Sequence, residues 1–299
     1  MPFRNIVITG TVALSAKKNQ LLIDKKEEKI SFPIEDISAL MIESRYVSIS
    51  SYALSQLSEF GVPVFFCNNE HIPNSVLLSY NSHSRQLKMT KVQFSLPKPL
   101  LNRLWQTIVV AKIINQSLCL DFCNVEDSKK IKLLSQRVQS ADKTNVEGVA
   151  AATYFKLLFG KNFTRNQDNI FNAALNYGYS IIRGVVARSL VSYGLDPSLG
   201  IHHKSELNNF NLADDIIEPY RQIIDLYVAL NVSEDDKMTP ELKHELFGLL
   251  SVNVLIGEEN FSVSYAIEKT VQSLSSCFVN NREDILLPTL CELKLHQYE

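Results

Sequence analysis

Residues 169–194 read NIFNAALNYGYSIIRGVVARSLVSYG, and this run decides the fold of the larger part of the chain. It is apolar on most of its sides, which predicts a helix enclosed by other helices and not one lying on a surface. Asp168 can cap its start and Gly194 its end. Gly178 and Gly184 lie inside it and each costs about 1 kcal/mol relative to alanine, which points to a close approach by a neighbouring helix.

Directly after it, Gly194–Arg221 reads GLDPSLGIHHKSELNNFNLADDIIEPYR, which sets His202 and His203 a short loop away from Asp214, Asp215 and Glu218. Imidazole with carboxylate is metal-site chemistry. Asp215 and Glu218 are three apart, so on a helix they share a face that either histidine reaches if the loop folds back. Pro219 removes a backbone donor and disfavours helical geometry at Glu218, so the helix either starts late or bends there. On the other side of the central run, Glu147 opens the otherwise uncharged segment VEGVAAATYF, residues 146–155, and is the candidate for a further ligand.

Each of these residues has a plainer reading. Thr144 to Glu147 fits an S/T-x-x-E capping box, in which Glu147 only satisfies a backbone N–H. Asp214 and Asp215 suit the positive end of a helix macrodipole, and paired histidines in a loop are more often solvated or hydrogen-bonded than metal-bound.

Further outward the helical character continues, in LLNRLWQTIVVAKIINQSL, SKKIKLLSQRVQSA and PELKHELFGLL, in a final helix from about Ser262 to Phe278, and with a polar loop around Gly257 to Asn260. Before residue 85 the pattern changes to short apolar runs between turn signals: NIVITG, TVALSA, QLLID, the charged turn KKEEK, ISFPI, ISALMIE, VPVFFCN and SVLLSY. These predict strands. One helix, about Ser51 to Phe60, interrupts them and stops at Gly61. The expected fold is therefore α+β: a small N-terminal β domain with one helix over 1–85, and a larger all-α domain over 86–299, joined near the polar stretch Asn81 to Gln86.

The 299 residues are 45% hydrophobic and 21% charged, an ordinary globular composition with enough chain for two domains. Cys67, Cys119, Cys123, Cys277 and Cys291 are scattered and complete no zinc pattern, which fits a reducing cytoplasm. The N-terminal apolar run is broken at Thr9 to Thr11, unlike a signal peptide, and no stretch reaches the ~18–20 apolar residues of a membrane helix. Charge is unevenly spread. Residues 76–199 carry 16 basic and 7 acidic side chains, whereas 200–299 carry 7 and 17. The basic third suits a polyanion such as DNA, with Arg85, Arg165 and Arg183 as candidate contacts, although a solvated face accounts for the same charges.

Taken together, several segments resemble a known family: IEDISALMIE, ISSYALSQLSEFGVPVFFCN and HIPNSVLLSYNSHSRQ in the first domain, and NVEGVAAATYF, NAALNYGYSIIRGVVARSLVSYGLDPSLGIHH and LADDIIEPYRQIIDLYV in the second. The family is the CRISPR adaptation integrase, the metal-dependent endonuclease of spacer acquisition, and LNYGYSIIR and DDIIEPYR are most similar to its type II branch. The resemblance covers almost the whole chain.

It implies a catalytic and metal-binding set of Glu147, His203 and Glu218, with Asp215 as a further ligand or a neighbouring support, and Mg²⁺ or Mn²⁺ as cofactor. His202 fills a position that is apolar in many members, so the choice between the two histidines stays open. The loop KNFTRNQDN is less arginine-rich than in several branches, leaving Arg165 as the basic side chain to carry over there. The implied reaction is attack of a DNA fragment's 3′-hydroxyl on a phosphodiester at a repeat edge. The implied partners are double-stranded DNA, a second copy through the β domain, the second universal adaptation subunit and, in type II systems, the effector nuclease and a ring-forming DNA-end-binding protein. Two other functions compete with it: a nuclease acting on branched or free DNA through the same site, and a DNA-binding scaffold with an inert metal site.

Overall fold

The computed structural model describes residues 3–25, 28–69, 71–79 and 83–297. Lys26 and Glu27 of the charged turn, and Tyr80 to Ser82 at the start of the polar stretch, lie outside the described residues. The chain divides into two compact units, Met1–Ser84 and Arg85–Gln297.

Among the described residues the first unit holds two four-stranded sheets. One is ordered β1 (Arg4–Ile8), β5 (Ile37–Ile42), β7 (Val64–Cys67), β8 (Pro73–Leu77), and the other β4 (Glu28–Pro33), β3 (Gln20–Lys25), β2 (Ala13–Lys17), β6 (Ser48–Ile49). The strand β5, ISALMI, is buried at all six positions, as befits a strand with parallel neighbours on both sides. Strands β2 and β3 instead bury alternate residues, Leu14, Leu21 and Ile23. A two-residue turn joins them, with Lys18 and Asn19 both at positive φ (51° and 59°), the backbone that a tight hairpin needs. The helix α1 (Ser51–Glu59) starts at Ser50, whose hydroxyl accepts from Ala53 N at 3.1 Å, and sends Ala53 and Leu57 into the core.

The second unit is mostly helical: α2 (Gln86–Phe94), α3 (Lys98–Phe122), α4 (Ser128–Ser135), α5 (Val146–Phe159), α6 (Ile170–Ser192), α7 (Asn211–Ile217), α8 (Arg221–Asn231), α9 (Pro240–Gly248) and α10 (Val263–Asn280). It is not wholly α. The segment read as a polar loop is a hairpin of β9 (Asn253–Ile256) and β10 (Glu259–Ser262), turned at Gly257 with φ +64°. Val254 and Ile256 alternate into the core, a short period-2 signal hidden beside longer helices. The long run quoted first is α6, buried along most of its length and packed by α7, α8, α9 and α10. Asn169, not Asp168, caps it, accepting from Asn172 N at 2.9 Å, and Gly194 follows its end at φ +75°. A Cβ on Gly178 would lie 2.5 Å from Ile224 Cγ2, so this glycine lets α8 sit against α6. Among the described residues no helix is long and apolar enough to cross a membrane.

Candidate active site

The second unit builds the site from the start of α5, the middle of α3, the loop before α7, α7 itself, the turn that follows it and the start of α8. Glu147 lies in the first turn of α5. The orphan N–H groups there are taken by two other side chains. Asp142 accepts from Val146 N and Glu147 N, both at 2.9 Å, and Asn145 accepts from Gly148 N at 3.2 Å. The capping box expected from Thr144 and Glu147 is therefore not formed. Relieved of capping, the Glu147 carboxylate pairs with the Lys112 ammonium of α3.

Pro219 does not delay the helix, since α7 already covers Asn211–Ile217, but the α-helical pattern is interrupted at Glu218. Between α7 and α8 the chain tightens into a single 3₁₀ turn, Glu218–Tyr220, and Glu218 keeps helical angles despite the proline that follows. Asn115 of α3 anchors this turn by donating to the Pro219 carbonyl at 2.7 Å. Glu218 is buried, receives Arg221 Nε at 3.0 Å on Oε1 and pairs with Lys112 Nζ through Oε2. Burial would raise its pKa, but Arg221 and Lys112 outweigh this and hold the carboxyl at about 2. Burial likewise works against the Lys112 ammonium, and Glu218 and Glu147 outweigh it, raising its pKa above the ordinary value.

Asp215 points to the loop, away from this pair. Fully buried, it accepts from Ile201 N at 2.5 Å, His202 N at 3.0 Å and His203 N at 3.1 Å, and holds His203 Nδ1 at 2.7 Å. Gly200 makes room for this folded-back loop, since a Cβ there would meet the His203 carbonyl at 2.2 Å. With Nδ1–H donating to Asp215, the ring's lone pair lies on Nε2. The Asp215 hydrogen bond raises the His203 pKa, and Glu218 is close enough to add to the shift. His202 is turned elsewhere, stacked on Trp105 with centroids 4.2 Å apart and planes 3° apart. The helix α3 thus supplies Trp105 to the histidine loop and, two turns on, Lys112 to the carboxylates.

The candidate DNA contacts fall differently. Arg165 is half-buried, bound to Asn172 and Asn176, and lines a cavity of about 170 Å³ together with Lys112, Gln116, Tyr179, Glu218 and Arg221. Arg183 pairs with Asp214 at 3.2 Å and lies over the Phe210 ring at 4.8 Å. Arg85 is exposed at the start of α2. The spacing of residues did not single out Lys112, Asp142, Arg221 or Trp105 for this site. One signal was available: Lys112 is the only charged residue between Arg103 and Asp121.

Among the described residues no three His, Cys, Asp or Glu side chains close on one point. Two carboxylates do converge on a single cation, the Lys112 ammonium, and an imidazole oriented by a third carboxylate lies within electrostatic reach of Glu218. That donor set suits a divalent ion held by oxygen and nitrogen ligands.

The fold is one shared with solved proteins. The chain is similar in structure to a casposase bound to integration product (TM-score 0.74, 21% identity, 95% of this chain and 92% of that one). It is also similar to a CAS1 protein from Thermotoga maritima (TM-score 0.72, 16% identity, 95% and 99%). At the level of sequence, residues 6–244 match the family described as CRISPR associated protein Cas1, and the chain belongs to that family. It is 40% identical to the CRISPR-associated endonuclease Cas1 of Neisseria meningitidis serogroup C (strain 8013) over the full length of both chains. To a CRISPR-associated endonuclease Cas1 of Francisella tularensis subsp. novicida (strain U112) it is 24% identical, over 89% of this chain and 93% of the other. The resemblance read from the sequence is borne out at the level of the family.

Proposed function

We propose that this chain inserts short DNA fragments into a CRISPR array. The 3′-hydroxyl of a fragment attacks a phosphodiester at the edge of a repeat; one ester bond forms as another breaks, and the displaced strand leaves with a free hydroxyl. The observation that carries this reading is the convergence of Glu147 and Glu218, from two separate elements, on one cation position, with His203 oriented by Asp215 within electrostatic reach of Glu218. Glu147, Glu218 and Nε2 of His203 are the groups that would hold Mn²⁺ or Mg²⁺. When bound, the ion orients the attacking hydroxyl, lowers its pKa and neutralises charge on the phosphate. The protein's own part is preorganisation: Asp215 fixes the ring and tautomer of His203, Arg221 keeps Glu218 ionised, and Asp142 relieves the Glu147 carboxylate of capping its helix.

Double-stranded DNA is the substrate in this reading, approached through the basic side chains of residues 76–199, with Arg85, Arg165 and Arg183 as contacts. Related proteins have been solved as a Cas6-RT-Cas1–Cas2 complex and as a TtCas1-DNA complex, which supports DNA and a Cas2-type subunit as partners. A homodimer through the β unit belongs to the same proposal, as do the effector nuclease and ring-forming DNA-end-binding protein of type II systems. A second reading has support from the relatives named endonucleases: hydrolysis at the same site, with water in place of the 3′-hydroxyl.

The product separates the two. A short labelled duplex is incubated with a supercoiled plasmid bearing the repeat and the partner subunit, in Mn²⁺ and in EDTA. Strand transfer gives a branched joint in Mn²⁺ and none in EDTA. Cut DNA with no branched joint would put hydrolysis first, and product formed equally in EDTA would contradict both readings.

A further inference from the structure

The Lys112 side chain is only 9% exposed, and its ammonium lies between the carboxylates of Glu147 and Glu218. The three groups are not held alike. Glu147 sits on a helix start fixed by Asp142 and Asn145, and Glu218 on a turn fixed by Arg221 and by Asn115 through Pro219. The ammonium, by contrast, is carried on a four-carbon stem whose rotamers let it swing. Two carboxylates brought this close inside a protein repel one another and are stable as a charged pair only with a cation between them. In this structure that cation is part of the chain. A divalent ion bound by the same two side chains needs the same position, so ammonium and ion exclude one another.

We propose that Lys112 is a tethered counter-ion: it holds the Glu147–Glu218 pair charged and in place before metal arrives, competes with the divalent ion for that pair, and so sets the metal affinity of the site. This inference rests on the metal reading above. Lys112 is a positioning residue in this role, and its signature is in metal binding and not only in turnover.

The test is a titration of Mn²⁺ followed by the electron paramagnetic resonance signal of the free ion, on the full chain and on Lys112→Met and Glu147→Gln variants. Lys112→Met keeps the length and apolar stem of the side chain and removes the charge. It is expected to bind Mn²⁺ roughly tenfold more tightly than wild type, since a competing charge a few ångströms away has gone. Glu147→Gln is expected to lose most of the binding. On the wild-type chain, acetylation of Lys112 by acetic anhydride, mapped by mass spectrometry, is expected to rise when Mn²⁺ replaces EDTA. If Lys112→Met binds Mn²⁺ no more tightly than a wild type that loses its binding with Glu147, the proposal is overturned and the metal reading stands. Lys112 acetylation unchanged by Mn²⁺ that the wild type demonstrably binds overturns it equally, and decides alone should Lys112→Met not fold. If no form binds Mn²⁺, the metal reading fails and this inference with it.

Discussion

His203 donates through Nδ1 to a fully buried carboxylate, and that hydrogen bond raises its pKa above the ordinary 6.5. If Nε2 holds the ion as proposed, protonation closes it to the metal, and at limiting Mn²⁺ activity should fall as pH drops through a midpoint above about 6.5. Asp215→Asn removes the charge that favours imidazolium, and the midpoint should move down. A profile flat to about pH 5 in both proteins would remove His203 from the metal set. A second carboxylate gives a stability signal. Burial raises Asp225 from 3.8 to about 6, although Tyr179 and Tyr154 both donate to it. Between those values the folded chain keeps a proton that the unfolded chain has released, so this group's contribution declines as pH rises through the window, by about 3 kcal/mol in all. Asp225→Asn should therefore flatten the change in unfolding free energy between about pH 4 and pH 7, and an unaltered slope would contradict the assignment. At this scale the resemblance offers Glu147, His203 and Glu218 as candidates, whereas Asp142 and Lys112, which the structure sets around them, left no spacing pattern in the sequence. Asp142 reaches the start of α5 through a turn with Ala141 and Asp142 at positive φ, which no S/T-x-x-E pattern records. Lys112 meets Glu147 from 35 residues away.

Among the elements, α6 was legible almost to its ends because its pattern is long and apolar, and the hairpin of β9 and β10 was not because each strand has only four residues. Local pattern also could not say how Pro219 is absorbed, since the 3₁₀ turn depends on Asn115 of α3. Two predictions belong here. Gly178→Ala places a methyl group into Ile224 and should cost about 1–3 kcal/mol in chemical denaturation. Combined with Ile224→Ala, the loss should be smaller than the sum of the single losses; strict additivity would mean that the two helices do not meet there. Asp142→Ala leaves two N–H groups of α5 without their acceptors and should cost about 1 kcal/mol of stability. It should also lower activity further than that loss explains, because the same contacts place Glu147; activity unchanged in a folded variant would separate the cap from the site.

For the whole chain, the change from strand-like to helical pattern near residue 85 was plain in the sequence, and the structure divides into compact units at Ser84 and Arg85. The charge division was equally plain, but its use was not, because Arg165 and Arg183 turn out to hold protein partners as well as positive charge. If the basic third binds DNA as proposed, affinity should fall steeply with salt, by a factor of about a thousand between low and moderate ionic strength for six or more phosphate contacts. On the proposed function, a divalent ion takes the position that the Lys112 ammonium holds between Glu147 and Glu218. The most direct test is the anomalous X-ray signal of Mn²⁺ in crystals of the full chain. The expected result is a single peak bound by Glu147, Glu218 and His203 Nε2, with the Lys112 ammonium moved out from between the carboxylates. A peak elsewhere, or Lys112 still seated between the two carboxylates at saturating Mn²⁺, would contradict the proposal.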